Sequence, residues 1–127
     1  MSRQGKGRPA PRPSWSAEFV VIVEGKHDRA RVRQVLPESI PVLTTNGIPS
    51  SERLDRLQKA VGAAVAVILT DADSSGRRIR SILREVFPDA LHVYTRPSFG
   101  GVEHTPVEYL GERFRRLGLL DGERPDW

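Results

Sequence analysis

Residues 65–76 read Val65-Ala66-Val67-Ile68-Leu69-Thr70-Asp71-Ala72-Asp73-Ser74-Ser75-Gly76. The first six are apolar or β-branched, lack polar alternation and end at turn residues, the pattern of a parallel strand covered on both faces. Ser74, Ser75 and Gly76 can turn the chain, and Arg77 to Phe87 then spaces Ile79, Ile82, Leu83 and Val86 along one helical face. Asp71 and Asp73 are thereby expected at the carboxyl end of a central strand, where open parallel sheets bind their ligands. Alternate residues of an extended segment share a side, so both carboxylates are expected to face one crevice.

A further acid comes from the same kind of place. Phe19-Val20-Val21-Ile22-Val23 is a second continuous apolar run, and it ends in Glu24-Gly25-Lys26 before a helix-like stretch. Acids gathered on one strand rim repel one another unless a positive charge lies between them, and carboxylate oxygens suit Mg²⁺ or Mn²⁺. A divalent metal is the economical expectation.

The chain of 127 residues is long enough for one layered core and too short for two. It has no cysteine, which excludes disulfides, thiolate metal sites and cysteine nucleophiles and fits a reducing cytoplasm. No apolar run approaches the ~20 residues that cross a bilayer, so a cytoplasmic protein without a membrane partner is expected. Arg3, Lys6, Arg8 and Arg12, with no acid among residues 1–13, account for the whole formal net charge of +4. Such a Pro-, Gly- and Arg-rich tail, taken as residues 1–17, is expected to be disordered and to touch polyanions by charge alone, although a merely solubilising end reads equally well.

In order along the chain, the expected elements are a strand over Phe19–Val23, a helix from about Lys26 to Leu36 stopped by Pro37, and a strand over Ile40–Thr44 leading to the turn Thr45-Asn46-Gly47. Next come a helix capped by Ser50 or Ser51, carrying Leu54, Leu57 and Val61 and ended by Gly62, and then the strand and helix of the opening stretch. Ala90–Tyr94 reads as a fourth strand, Thr95–Thr105 as a loop, and Pro106 as the start of a helix stopped by Gly118. The order βαβαβαβα argues for a parallel sheet with helices on both faces.

Glu24 at the end of the first strand, Asp71-Ala72-Asp73 after a later one, and Gly76 together resemble the hallmarks of the Toprim domain, shared by topoisomerases, bacterial primases and certain small nucleases. Within that family the sequence is similar to small stand-alone bacterial proteins and to the Toprim ribonuclease that matures 5S ribosomal RNA. Thr45-Asn46-Gly47 and Gly101-Val102-Glu103-His104 look like segments of the ribonuclease, and Thr105-Pro106-Val107-Glu108-Tyr109-Leu110 like the stand-alone proteins. The resemblance runs from Phe19 to Leu117. It implies an α/β, Toprim-type Rossmann-like fold over residues 18–120, with a four-stranded, mostly parallel sheet, followed by a short tail over residues 121–127. It also implies Asp71 and Asp73 as Mg²⁺ or Mn²⁺ ligands, with Glu24 as a further ligand or a general acid/base.

Ser75 stands where many Toprim enzymes carry another acid, so a second metal would need Glu103 as a ligand. The ribonuclease continues into a carboxyl-terminal region, whereas this sequence ends at Trp127, so general metal-dependent cleavage is expected rather than 5S processing. Lys26, at a helix start beside Glu24, is suited to hold a scissile phosphate. Lys26, Arg29, Arg77 and Arg80 are the expected nucleic-acid contacts, and Glu103 and His104 are accessory candidates. Each has a plainer reading: turn and cap duty for the two aspartates, a solvated helix face for the arginines, a hydrogen-bonding role for His104. With Glu24 in register, the metal reading is preferred.

The expected function is therefore a Mg²⁺-dependent nucleic-acid phosphodiesterase, acting on RNA more than DNA. The alternative is a non-catalytic Toprim module that binds nucleic acid or a partner protein. Tyr94 and Tyr109 are nucleophiles only in principle, and a phospho-acceptor domain is disfavoured because its acceptor Asp stands alone.

Overall fold

The structure is a computed structural model that describes residues 18–120; the expected tails at residues 1–17 and 121–127 lie outside the described residues. Four strands, β1 (Phe19–Val23), β2 (Val42–Thr44), β3 (Val65–Leu69) and β4 (Leu91–Val93), alternate with helices α1 (Lys26–Arg33), α2 (Ser51–Val61), α3 (Ser74–Val86) and α4 (Val107–Leu117). The sheet has the order β2-β1-β3-β4, and all three pairings are parallel. The α/β architecture with a four-stranded parallel sheet expected from the sequence is the one observed.

β1 and β3 lie side by side in the middle, in register from Phe19 opposite Val65 to Ile22 opposite Ile68. Their alternate side chains feed two cores. Val21, Val23, Val67 and Leu69 pack with Val32 of α1 and Leu110 and Phe114 of α4. Val20, Ile22, Ala66 and Ile68 pack on the opposite face with Leu57 and Val61 of α2 and Ile79 and Leu83 of α3. A fully buried Ile or Leu contributes on the order of 2 kcal/mol, so the two central strands are the best-anchored part of the molecule and fix whatever follows their carboxyl ends. From β1 the chain moves outward to β2 and then crosses back to β3. That reversal opens a crevice at the carboxyl ends of β1 and β3.

Element ends differ from the sequence reading for local reasons. α1 stops at Arg33 rather than Leu36, because Gln34 N–H and Val35 N–H turn back to the carbonyls of Arg31 (3.1 Å) and Val32 (2.9 Å). The Arg33 guanidinium then donates to the carbonyls of Pro37 and Ile40, and β2 begins at Val42, after Pro41, which has no N–H to give the ladder. α3 starts three residues before Arg77, at Ser74, because Asp73 caps it. Ser50 caps α2 through the Arg53 N–H at 3.1 Å. The stretch expected as loop holds two short 3-10 turns, Pro97–Phe99 and Val102–His104.

Candidate metal centre

Glu24 follows β1 directly, and Asp71 comes two residues after the end of β3. A third acid meets them from α1. Asp28 sits in the first turn of that helix, only 9% exposed, and its Oδ2 accepts the Gly25 N–H at 3.1 Å. One carboxylate oxygen from each of Glu24, Asp28 and Asp71 lies within 4.8 Å of the others. The cleft over them, about 350 Å³, is also lined by Lys26, His27, Asn46, Gly47, Gly100, Gly101 and Glu103.

Backbone geometry fixes Asp71 from two sides. The Val102 N–H donates to its Oδ1 at 2.8 Å, and Gly101, at φ +111°, would place a Cβ 3.4 Å from the same oxygen. On the other side, α3 begins so close that a Cβ on Gly76 would lie 2.0 Å from the Asp71 carbonyl oxygen. Only glycine allows that approach. The loop over Asp71 is tied in turn to α1, where Arg31 Nε donates to the Glu103 carbonyl at 2.9 Å. Asn46 (φ 60°) and Gly47 (φ 83°) complete the rim as a left-handed turn, with the Asn46 N–H on the Glu24 carbonyl at 2.8 Å.

Crowding three acids into this space changes their titration. Burial, and then the Asp71 charge, pushes Glu24 up from 4.5 to about 7. Asp28 is raised as well, again by burial first and Asp71 second. All the donors are carboxylate oxygens, two of them on groups that resist ionising without a compensating charge. That chemistry fits a hard divalent cation such as Mg²⁺ or Mn²⁺.

Of the residues singled out in the sequence, Glu24, Lys26, Asp71 and Glu103 meet at this cleft. Asp73 does not line it. Its side chain is exposed and turns to the helix, with Oδ1 accepting the Gly76 N–H at 2.7 Å. The expectation that Asp71 and Asp73 face one crevice therefore gives way to Asp71 facing Glu24 and Asp28, because the chain enters α3 immediately after Asp73. Arg29 is exposed on α1, away from the cleft lining, and Arg77 is exposed at the start of α3. Arg80 is 5% exposed, with its guanidinium on the carbonyls of Ile68 (3.2 Å) and Val93 (2.8 Å) and on His92 Nδ1 (2.9 Å). Of the two α3 arginines expected to contact nucleic acid, Arg77 is thus exposed and Arg80 is committed to backbone carbonyls. His104 is exposed and pairs with Glu103 at 3.3 Å. Asp28 was missing from the sequence reading; the available signal was its place four residues after Glu24, in the first turn of α1.

No profile of a known protein family matches the chain. It is 33% identical over 102 residues to the uncharacterized protein YusF of Bacillus subtilis, covering 80% of this chain and 70% of that one. It is 32% identical over 115 residues to ribonuclease M5 1 of Ligilactobacillus salivarius, covering 82% of this chain and 61% of the relative. Ribonuclease M5 of Bacillus subtilis is 30% identical over 100 residues, or 72% of this chain and 53% of the enzyme. The chain therefore spans little more than half the length of those ribonucleases. A solved small TOPRIM domain protein from Bacillus stearothermophilus superposes with a TM-score of 0.71 at 33% identity, over 80% of this chain and 86% of that structure. With a fold that superposes on a small TOPRIM domain protein and relatives that match most of its length, the chain belongs to the Toprim domain family, alongside its small members and ribonuclease M5.

Proposed function

We propose that this protein is a Mg²⁺- or Mn²⁺-dependent phosphodiesterase that cleaves nucleic acid, RNA in preference to DNA. The observation that carries the reading is the convergence of Glu24, Asp28 and Asp71 within 4.8 Å at the strand rim. The preference for RNA rests on the ribonuclease M5 relatives. Asp28 and Asp71 would hold the cation, with Glu24 beside them. A bound divalent ion supplies positive charge to the phosphoryl oxygens as charge develops there. Glu24, beside the cation at the strand rim, is placed to take and return a proton. Lys26, exposed on the cleft lining, presents a mobile positive charge to the phosphate. The Val102 N–H holds the Asp71 carboxylate still.

The test is purified protein incubated with labelled single- and double-stranded RNA and DNA in Mg²⁺, Mn²⁺ or chelator. Divalent-dependent cleavage that is lost in Glu24→Gln supports the enzyme. Binding without cleavage under every condition, by wild type and variant alike, replaces it with a binding module.

A further inference from the structure

A second cavity, about 280 Å³, lies beside the acid cleft and shares Asp71 with it. Its charge is reversed. Arg77, Arg80 and Arg84 of α3 line it with Thr70, Tyr94 and Thr95, and its volume is close to the ~300 Å³ at which small-molecule sites begin.

Three features distinguish it from an ordinary groove. Tyr94 is 56% exposed, and the Arg80 guanidinium sits 4.2 Å from its ring centroid. Because that guanidinium is itself fastened to the carbonyls of Ile68 and Val93, the exposed ring rests on a fixed cation. Thr95 is only 8% exposed, and its Oγ1 is buried with no hydrogen-bond partner among the described residues. A buried hydroxyl in that state costs stability that a pairing ligand returns. Arg77 and Arg84 are exposed, and neither is in an ion pair with another described residue. An aromatic platform, an unpaired hydroxyl and two available guanidiniums together select a ligand that is aromatic, hydrogen-bonding and anionic, and a nucleotide is all three.

We propose that this cavity binds one nucleotide of a single strand next to the acid cleft, with its base against Tyr94, a polar edge on Thr95 Oγ1 and its phosphate between Arg77 and Arg84. The assignment rests on the reading that nucleic acid is the substrate, and it adds a preference: the base must be unstacked, so single strands are selected over duplex. Sharing Asp71 with the cleft is the reason for choosing a strand over a free nucleotide.

Fluorescence anisotropy with labelled RNA and DNA hexamers in chelator, beside a duplex of the same length, AMP and inorganic phosphate as competitors, tests this without any cleavage. Tyr94→Ala should weaken single-strand binding by at least about fivefold, the low end of base–aromatic stacking, and Tyr94→Phe should keep it. Thr95→Val should weaken binding while leaving the melting temperature unchanged or raised, a combination a merely structural threonine does not give. Equal binding by Tyr94→Ala and wild type, duplex bound as tightly as single strand, or AMP competing as well as an unlabelled hexamer would each overturn the proposal. Since these measurements contain no divalent ion, a protein that binds as described but never cleaves refutes the phosphodiesterase reading alone. Mg²⁺-dependent cleavage with Tyr94-independent binding refutes the subsite alone.

Discussion

The backbone N–H of Val102 donates to Oδ1 of Asp71 at 2.8 Å, joining residues 31 apart in the sequence. The acid at the end of the central strand is thus oriented by the loop that lies over it. Asp71→Asn retains an acceptor for Val102 and removes the charge that presses on Glu24 and Asp28. In chelator near pH 8 it should be as stable as wild type or more stable by about 1 kcal/mol, yet lose the stabilisation that wild type gains from Mg²⁺. Asp71→Ala, which also abandons the loop, should be less stable than Asp71→Asn by roughly 1–3 kcal/mol. Thermal melts with and without Mg²⁺ check both. An Asn variant that keeps the full Mg²⁺ gain removes Asp71 from the cation site.

The raised Glu24 makes this stabilisation depend on pH. Between 4.5, its ordinary value, and about 7, its folded value, the folded protein binds more protons than the unfolded chain. Metal-free stability should therefore fall as pH rises through that window, with Asp28 acting in the same direction. Cation binding requires the deprotonated acids, so the gain in melting temperature from Mg²⁺ should grow from pH 5 to pH 8. In Glu24→Gln the metal-free decline should be shallower. A wild-type Mg²⁺ gain that is flat with pH would separate Glu24 from the cation.

Asp73 gives the converse test. Its carboxylate caps α3 at the Gly76 N–H, and asparagine caps a helix nearly as well as aspartate. Asp73→Asn should change little, while Asp73→Ala should destabilise by roughly 1 kcal/mol, equally in chelator and in Mg²⁺. If Asp73→Asn abolishes the Mg²⁺ gain, the aspartate binds the cation as well as capping the helix.

The contrast among these acids shows what was legible in the sequence. The β1 boundaries were read residue for residue and β3 to within one, because both strands are covered on both faces and an unbroken apolar run admits few other states. The Ser50 cap and the stops at Gly62 and Gly118 were legible because their causes are local. Glu24 and Asp71 followed from the strand ends. Asp28 did not, since inside a helical stretch it reads as an ordinary polar residue. Its burial arises from packing of α1 against the turn at Val102–His104, which Arg31 secures from some seventy positions away in sequence. The carbonyl partners of Arg80, expected only as a nucleic-acid contact, were illegible for the same kind of reason, because only tertiary structure brings Ile68 and Val93 to it.

Arg80 offers the sharpest separation of a structural from a binding role. Its guanidinium bridges two neighbouring strands, donating to Ile68 of β3 and Val93 of β4. Removing it takes a hydrogen bond from each of these two carbonyls and the cation from beneath Tyr94. Arg80→Met should therefore destabilise the fold by roughly 2–4 kcal/mol. Arg80→Lys should recover only part of this, because one ammonium cannot reproduce a fork that reaches both carbonyls. Exposed Arg77 should behave in the opposite way, with Arg77→Ala leaving stability within about 0.5 kcal/mol of wild type. On single-stranded nucleic acid, Arg77→Ala should lower the slope of log affinity against log salt by about one counterion. Arg80→Met, although it removes a charge, should leave that slope unchanged, since a charge committed to carbonyls releases no counterion when the strand binds. Urea melts and salt titrations of both variants decide the matter. A slope reduced by Arg80→Met as much as by Arg77→Ala would mean that Arg80 leaves its carbonyls to contact phosphate, and α3 would then bind the strand through both arginines.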